Sequence, residues 1–113
     1  MENQIELNNE RSKLLDKFVR TLPDLMTPLG AILDAVYKDG ALSNKVKRLM
    51  SLAIALKGGT TNCTLAQTML ALETGASKEE ILETLSVVVA MSGTSGVAES
   101  LRVLKLLDEL GKL

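Results

Sequence analysis

The residues able to do chemistry in this chain are few: it has one thiol, Cys63, and no histidine at all. Losing histidine removes the commonest general base and the commonest metal ligand. Serine–histidine–carboxylate triads are excluded, and one cysteine without histidine offers no zinc site, so we expect no metal and no cofactor. Thiol chemistry is what remains. Cys63 follows Gly58-Gly59 and Thr60-Thr61-Asn62, where a helix should begin. In the first turn of a helix, unpaired backbone amides and the helix dipole favour negative charge, as a reactive thiolate requires. The competing reading is a lone cysteine serving as a small buried hydrophobe.

Thr60, Thr64, Gln67 and Thr68 share a face by helical spacing. They could form a pocket wall that hydrogen-bonds a small ligand. For the outer threonines we prefer capping by Thr60 or Thr61 together with a solvated face. Further on, Ser92-Gly93-Thr94-Ser95-Gly96 breaks the helical pattern. Exposed amides at Gly93, Thr94, Ser95 and Gly96 could hold a carboxylate or phosphate, although a packing turn between two close helices explains the same composition. Glu79, Glu80 and Glu83 read as capping and a solvated face, and the five methionines as gap-filling core residues.

These residues must be positioned by helices. The chain has 113 residues, the length of one domain, and its 46% apolar content includes only 2% aromatics. A core of Leu, Ile, Val, Ala and Met favours helix over strand. Apolar spacing predicts a first helix over 5–22, ended by Pro23, and a second over 24–37. Pro28 is awkward inside the second, which could instead begin near Thr27. Ser43 caps a third helix through Lys57; its middle, Leu49 to Leu56, is apolar nearly all round and broken only by Ser51. A fourth runs from Thr61 to Thr74, and Gly75 stops it. Ser77 with Glu80 makes a capping box for a fifth, which continues to Met91, and a sixth covers 97–110.

The segments Gly40-Ala41-Leu42-Ser43, Leu52-Ala53-Ile54-Ala55-Leu56, Ala71 through Ile81 (ALETGASKEEI) and Met91-Ser92-Gly93 resemble the carboxymuconolactone decarboxylase-like and alkylhydroperoxidase D-like family over residues 40–110. The resemblance implies an all-α, six-helix alkylhydroperoxidase D-like orthogonal bundle and a homo-oligomer, trimer or hexamer. It also implies a redox motif, Cys-x-x-Cys-x-x-x-His, with a glutamate twelve residues before the first cysteine. Here those positions are Thr60, Cys63, Gln67 and Arg48. Only Cys63 matches. A dithiol needs one sulfur to attack and another to resolve, and Thr60 cannot resolve. Gln67 can hydrogen-bond but cannot relay protons, and Arg48 would stabilise negative charge where a carboxylate would accept protons.

Three functions follow as expectations. The first is an alkylhydroperoxidase-like redox protein acting through Cys63 alone, with a peroxide ligand and an external thiol reductant. The second is a lactone- or keto-acid-processing enzyme related to the decarboxylases, with Arg48 and Gln67 orienting a small anionic substrate. The third is a non-catalytic oligomeric binding or scaffold protein. The net charge of −1 gives no basic face for nucleic acid or an anionic membrane. The polar, acidic start of the chain lacks the chemistry of a signal peptide, and an unpaired cysteine suggests no oxidising compartment, so a cytoplasmic location is expected.

Overall fold

Caps decide where the helices begin. A computed structural model describes residues 1–113 and contains six helices and no strand. Asn3 opens α1 (Gln4–Thr21), its Oδ1 accepting the Glu6 amide. Ser43 does the same for α3 (Asn44–Gly58) through the Val46 amide, and the Ser77–Glu80 box, with both reciprocal bonds made, opens α5 (Lys78–Ser92). Between them lie α2 (Pro23–Val36) and α4 (Thr61–Glu73), and α6 (Thr94–Glu109) closes the chain. Each side-chain cap satisfies an amide that the first helical turn leaves without a partner.

Two boundaries differ from the sequence reading. The helix over α2 begins at Pro23, which takes the first position, so Pro28 lies inside it. Its missing donor costs one bond back to Asp24. The break at 92–96 shrinks to a single residue, Gly93, with φ 62° and ψ −139°, and α6 starts at Thr94 instead of residue 97. Gly96 permits this. A Cβ there would stand 2.9 Å from the Val88 carbonyl oxygen and 3.1 Å from Cα of Val89, so only glycine lets α6 run this close to α5.

The core lies where α3, α5 and α6 meet. Leu52 and Leu56 of α3 pack with Ile81, Leu85 and Val88 of α5 and with Val103 and Leu107 of α6, and α4 adds Ala71. Burying such side chains is worth about 1.5–3 kcal/mol each against full exposure. No methionine is buried, contrary to the expectation of gap-filling. At the other end, α1 is fastened to α6. The Glu109 carboxylate accepts the Gln4 and Ile5 amides, and Arg102 donates to the fully buried Gln4 side chain.

Several helices leave apolar side chains open, α1 among them with Leu14, Phe18 and Val19. None of the residues of α2 is buried; Leu25, Ile32 and Val36 face out. Ile54 of α3 is 71% exposed and Met91 of α5 is 79% exposed. These two flank an apolar groove of about 400 Å³ that also includes Ala53 and Val87. The all-round apolar stretch 49–56 is therefore buried on one side only. No helix is long and apolar enough to cross a membrane.

Candidate functional site

The site is built where α3 ends and α4 begins. Gly59 takes a left-handed conformation (φ 68°, ψ 27°), turning the chain sharply after α3. Thr60 stands at the cap position of α4, but its hydroxyl donates to the Ala55 carbonyl instead of capping. The first-turn amides of α4 are thus left without a side-chain acceptor, and Cys63 sits in that turn. Its side chain is exposed, so the reading as a buried hydrophobe does not hold. Gln67, one turn further along α4, faces the same way.

Cys63, Gln67 and Thr60 line a cavity of about 470 Å³ with Tyr37 and Ser51, floored by Ile54 and Ala55. Arg48 does not line this cavity. It lines a neighbouring cavity of about 450 Å³, and Gln67 and Tyr37 belong to both. The guanidinium lies over the Tyr37 ring, 3.4 Å from its centroid, and Nη1 donates to Oε1 of Gln67 at 3.3 Å. Its Nε is enclosed and has no partner. Because a guanidinium only donates, it selects the carbonyl end of the amide. The Gln67 Nε2 makes no hydrogen bond within the chain, and the side chain lines both cavities. Tyr37 is held in turn by a hydrogen bond to Ser51, whose hydroxyl also donates to the Lys47 carbonyl.

The polar face read from spacing splits in two. Thr60 and Gln67 reach the cavity, whereas Thr64 (1% exposed) and Thr68 (0%) are buried, not solvated. The Thr68 hydroxyl donates back to the Thr64 carbonyl, and the Thr64 hydroxyl has no partner. In the segment 93–96, Gly96 is buried against α5, and Ser95 and Gly96 line a small cleft together with one cation, Lys57, and one anion, Glu99. Glu80 is occupied with the Ser77 cap and an ion pair to Lys45 at 2.9 Å; both hold its carboxyl below its ordinary value, the bond from the Ser77 amide most. No three His, Cys, Asp or Glu side chains come together in a metal-binding group.

Tyr37 and Ser51 were missed as site residues. The signals were small but present: Tyr37 is the chain's one tyrosine, and Ser51 is the one polar break in the apolar middle of α3.

The chain belongs to the carboxymuconolactone decarboxylase family, whose family model matches residues 23–106. That span takes in α2, which the resemblance over 40–110 did not. An uncharacterized protein of Cupriavidus necator is 31% identical over 88 residues, 78% of each chain. The apo crystal structure of a carboxymuconolactone decarboxylase family protein from Legionella pneumophila superposes with a TM-score of 0.87 at 28% identity, covering 96% of this chain and 97% of that one. The all-α family fold is therefore common to both.

Proposed function

We propose that this protein reduces hydroperoxides through the single thiol Cys63 and relies on an external thiol to regenerate it. The observation that carries the reading is an exposed thiol in the uncapped first turn of α4, opening on a cavity with an apolar floor and a free amide donor on Gln67. Attack of the thiolate on the outer peroxide oxygen breaks the O–O bond. It leaves a sulfenic acid on Cys63 and releases an alcohol or water. With no second cysteine in the chain, an external thiol condenses with the sulfenic acid and expels water. A second thiol then displaces Cys63 from the mixed disulfide, which restores the enzyme and yields the reductant's disulfide. Hydrogen bonding by Gln67 steadies the peroxide or the departing oxygen, a role that needs no proton relay.

The working unit in this proposal is a homo-oligomer, in which a second copy would cover exposed apolar side chains such as Leu25, Ile32, Ile54 and Met91.

The test is consumption of cumene hydroperoxide with and without glutathione. We expect sustained turnover only with the thiol, a single sulfenic acid at Cys63 without it, and neither in Cys63→Ser. Turnover that survives Cys63→Ser would overturn the reading and favour lactone or keto-acid chemistry. Absence of both turnover and a sulfenic adduct would favour a non-catalytic binding protein.

A further inference from the structure

The neighbouring cavity makes a separate case. Two arginines line it, Arg11 from α1 and Arg48 from α3. Neither is paired with a carboxylate anywhere in the chain, and Glu73, the one acid on the wall, makes no ion pair. Both cations are nevertheless held in place. Arg11 donates through Nε to Asn8 at 2.9 Å, and Arg48 is fixed by Gln67 and the Tyr37 ring. Each thus spends one donor on being oriented; Arg48 Nε is enclosed without a partner, and Nη2 makes no bond within the chain. The remaining wall is largely apolar, with Leu15, Leu33 and Leu70.

We infer that this cavity between α1, α2, α3 and α4 is a binding site for a small monocarboxylate with an apolar body. The carboxylate engages Arg48 and Arg11, and the hydrocarbon lies against the leucines. A guanidinium fork matches a planar carboxylate with two parallel hydrogen bonds. Glu73 on the same wall disfavours a doubly charged phosphate. At about 450 Å³ the cavity falls within the size range of small-molecule pockets. Cys63 does not line this site, which has Gln67 and Tyr37 in common with the thiol cavity.

Calorimetric and NMR titrations with hexanoate, hexanamide and inorganic phosphate decide it. Hexanoate should bind saturably, shifting amide resonances on α1 and α4, while hexanamide and phosphate bind weaker by roughly tenfold or more. Arg48→Gln should weaken hexanoate by roughly tenfold or more, and Arg11→Gln severalfold. Arg48→Lys, which keeps the charge and loses the fork, should fall between, with circular dichroism showing that each variant is folded. Cys63→Ser should bind hexanoate as the parent does, so loss of peroxide reduction and loss of this site are separately visible. Hexanoate that fails to saturate, hexanamide or phosphate binding equally well, or binding untouched by both arginine substitutions would each overturn the inference.

Discussion

Nη1 of Arg48 donates to Oε1 of Gln67 at 3.3 Å, and that bond fixes which end of the amide faces the guanidinium. The pair ties α3 to α4 through the wall common to the two cavities. Within the chain Arg48 contacts Gln67 and the Tyr37 ring, and it lines the second cavity but not the thiol cavity.

It follows that Arg48→Ala should leave the rate of Cys63 alkylation by iodoacetamide at neutral pH within about threefold of the parent, the size of a screened through-space effect. A drop of roughly tenfold or more would mean that guanidinium and thiolate pair directly in solution.

Gly96→Ala tests the close approach of α6 to α5. The added Cβ meets the backbone of Val88 and Val89, which cannot swing aside as a side chain would. We expect a loss of about 1–3 kcal/mol in urea unfolding, as for other overpacked sites. A neutral result would show that the two helices separate at little cost.

The buried threonines should respond differently. Thr64→Val removes a hydroxyl with no partner and should stabilise the fold by about 0.5–1 kcal/mol. Thr68→Val removes a hydroxyl that donates to the Thr64 carbonyl and should be neutral or destabilising. Equal shifts in the urea midpoints of the two variants would count against this account of Thr64.

Glu80 sets a pH dependence. Its carboxyl is held below the ordinary 4.5 by the Ser77 amide first and the Lys45 ammonium next. A depressed folded pKa means that the native state favours the charged form, so the contribution is complete above the unfolded value. It declines as pH falls below 4.5 and is gone once pH passes below the folded value. The stability advantage of the parent over Glu80→Gln should therefore be present at neutral pH and vanish in acid. An advantage that grew on acidification would contradict the assignment.

Assembly is the simplest to check. Sedimentation velocity should show an oligomer at micromolar concentration, and Ile32→Asp on the open face of α2 should weaken it. A stable monomer of the parent under those conditions would defeat the proposal.

Helix identity was legible because its signals are local. The Ser43 cap and the Ser77–Glu80 box each act within one turn. What was not legible depended on contacts between helices. The composition of 92–96 reads as a loop, yet packing of Gly96 on α5 lets helix continue to within one residue of Gly93. Thr64 and Thr68 read as solvated because their hydroxyls are polar, but the Thr68 hydroxyl returns to the backbone and permits burial. Of the candidate site, Cys63 was legible as the chain's one thiol and Gln67 by helical spacing, whereas Arg48 was singled out only by the position that the family resemblance implies. Which cavity each one faces, and the bracing of Arg48 by Tyr37, arises from the meeting of α2, α3 and α4, to which periodicity along one helix is blind.

The bare apolar face of α2 has a thermodynamic consequence. When that face is covered by another copy, the native state is stabilised by mass action, and protein concentration enters the unfolding equilibrium as a variable. Dilution then acts as a denaturant. In the proposed oligomer the melting temperature should climb as the sample is concentrated, and α2, with no buried residue of its own, should be the first segment whose amides exchange as copies part. A substitution on this face can therefore look like an unstable fold in a dilute assay while every contact inside its own chain is intact.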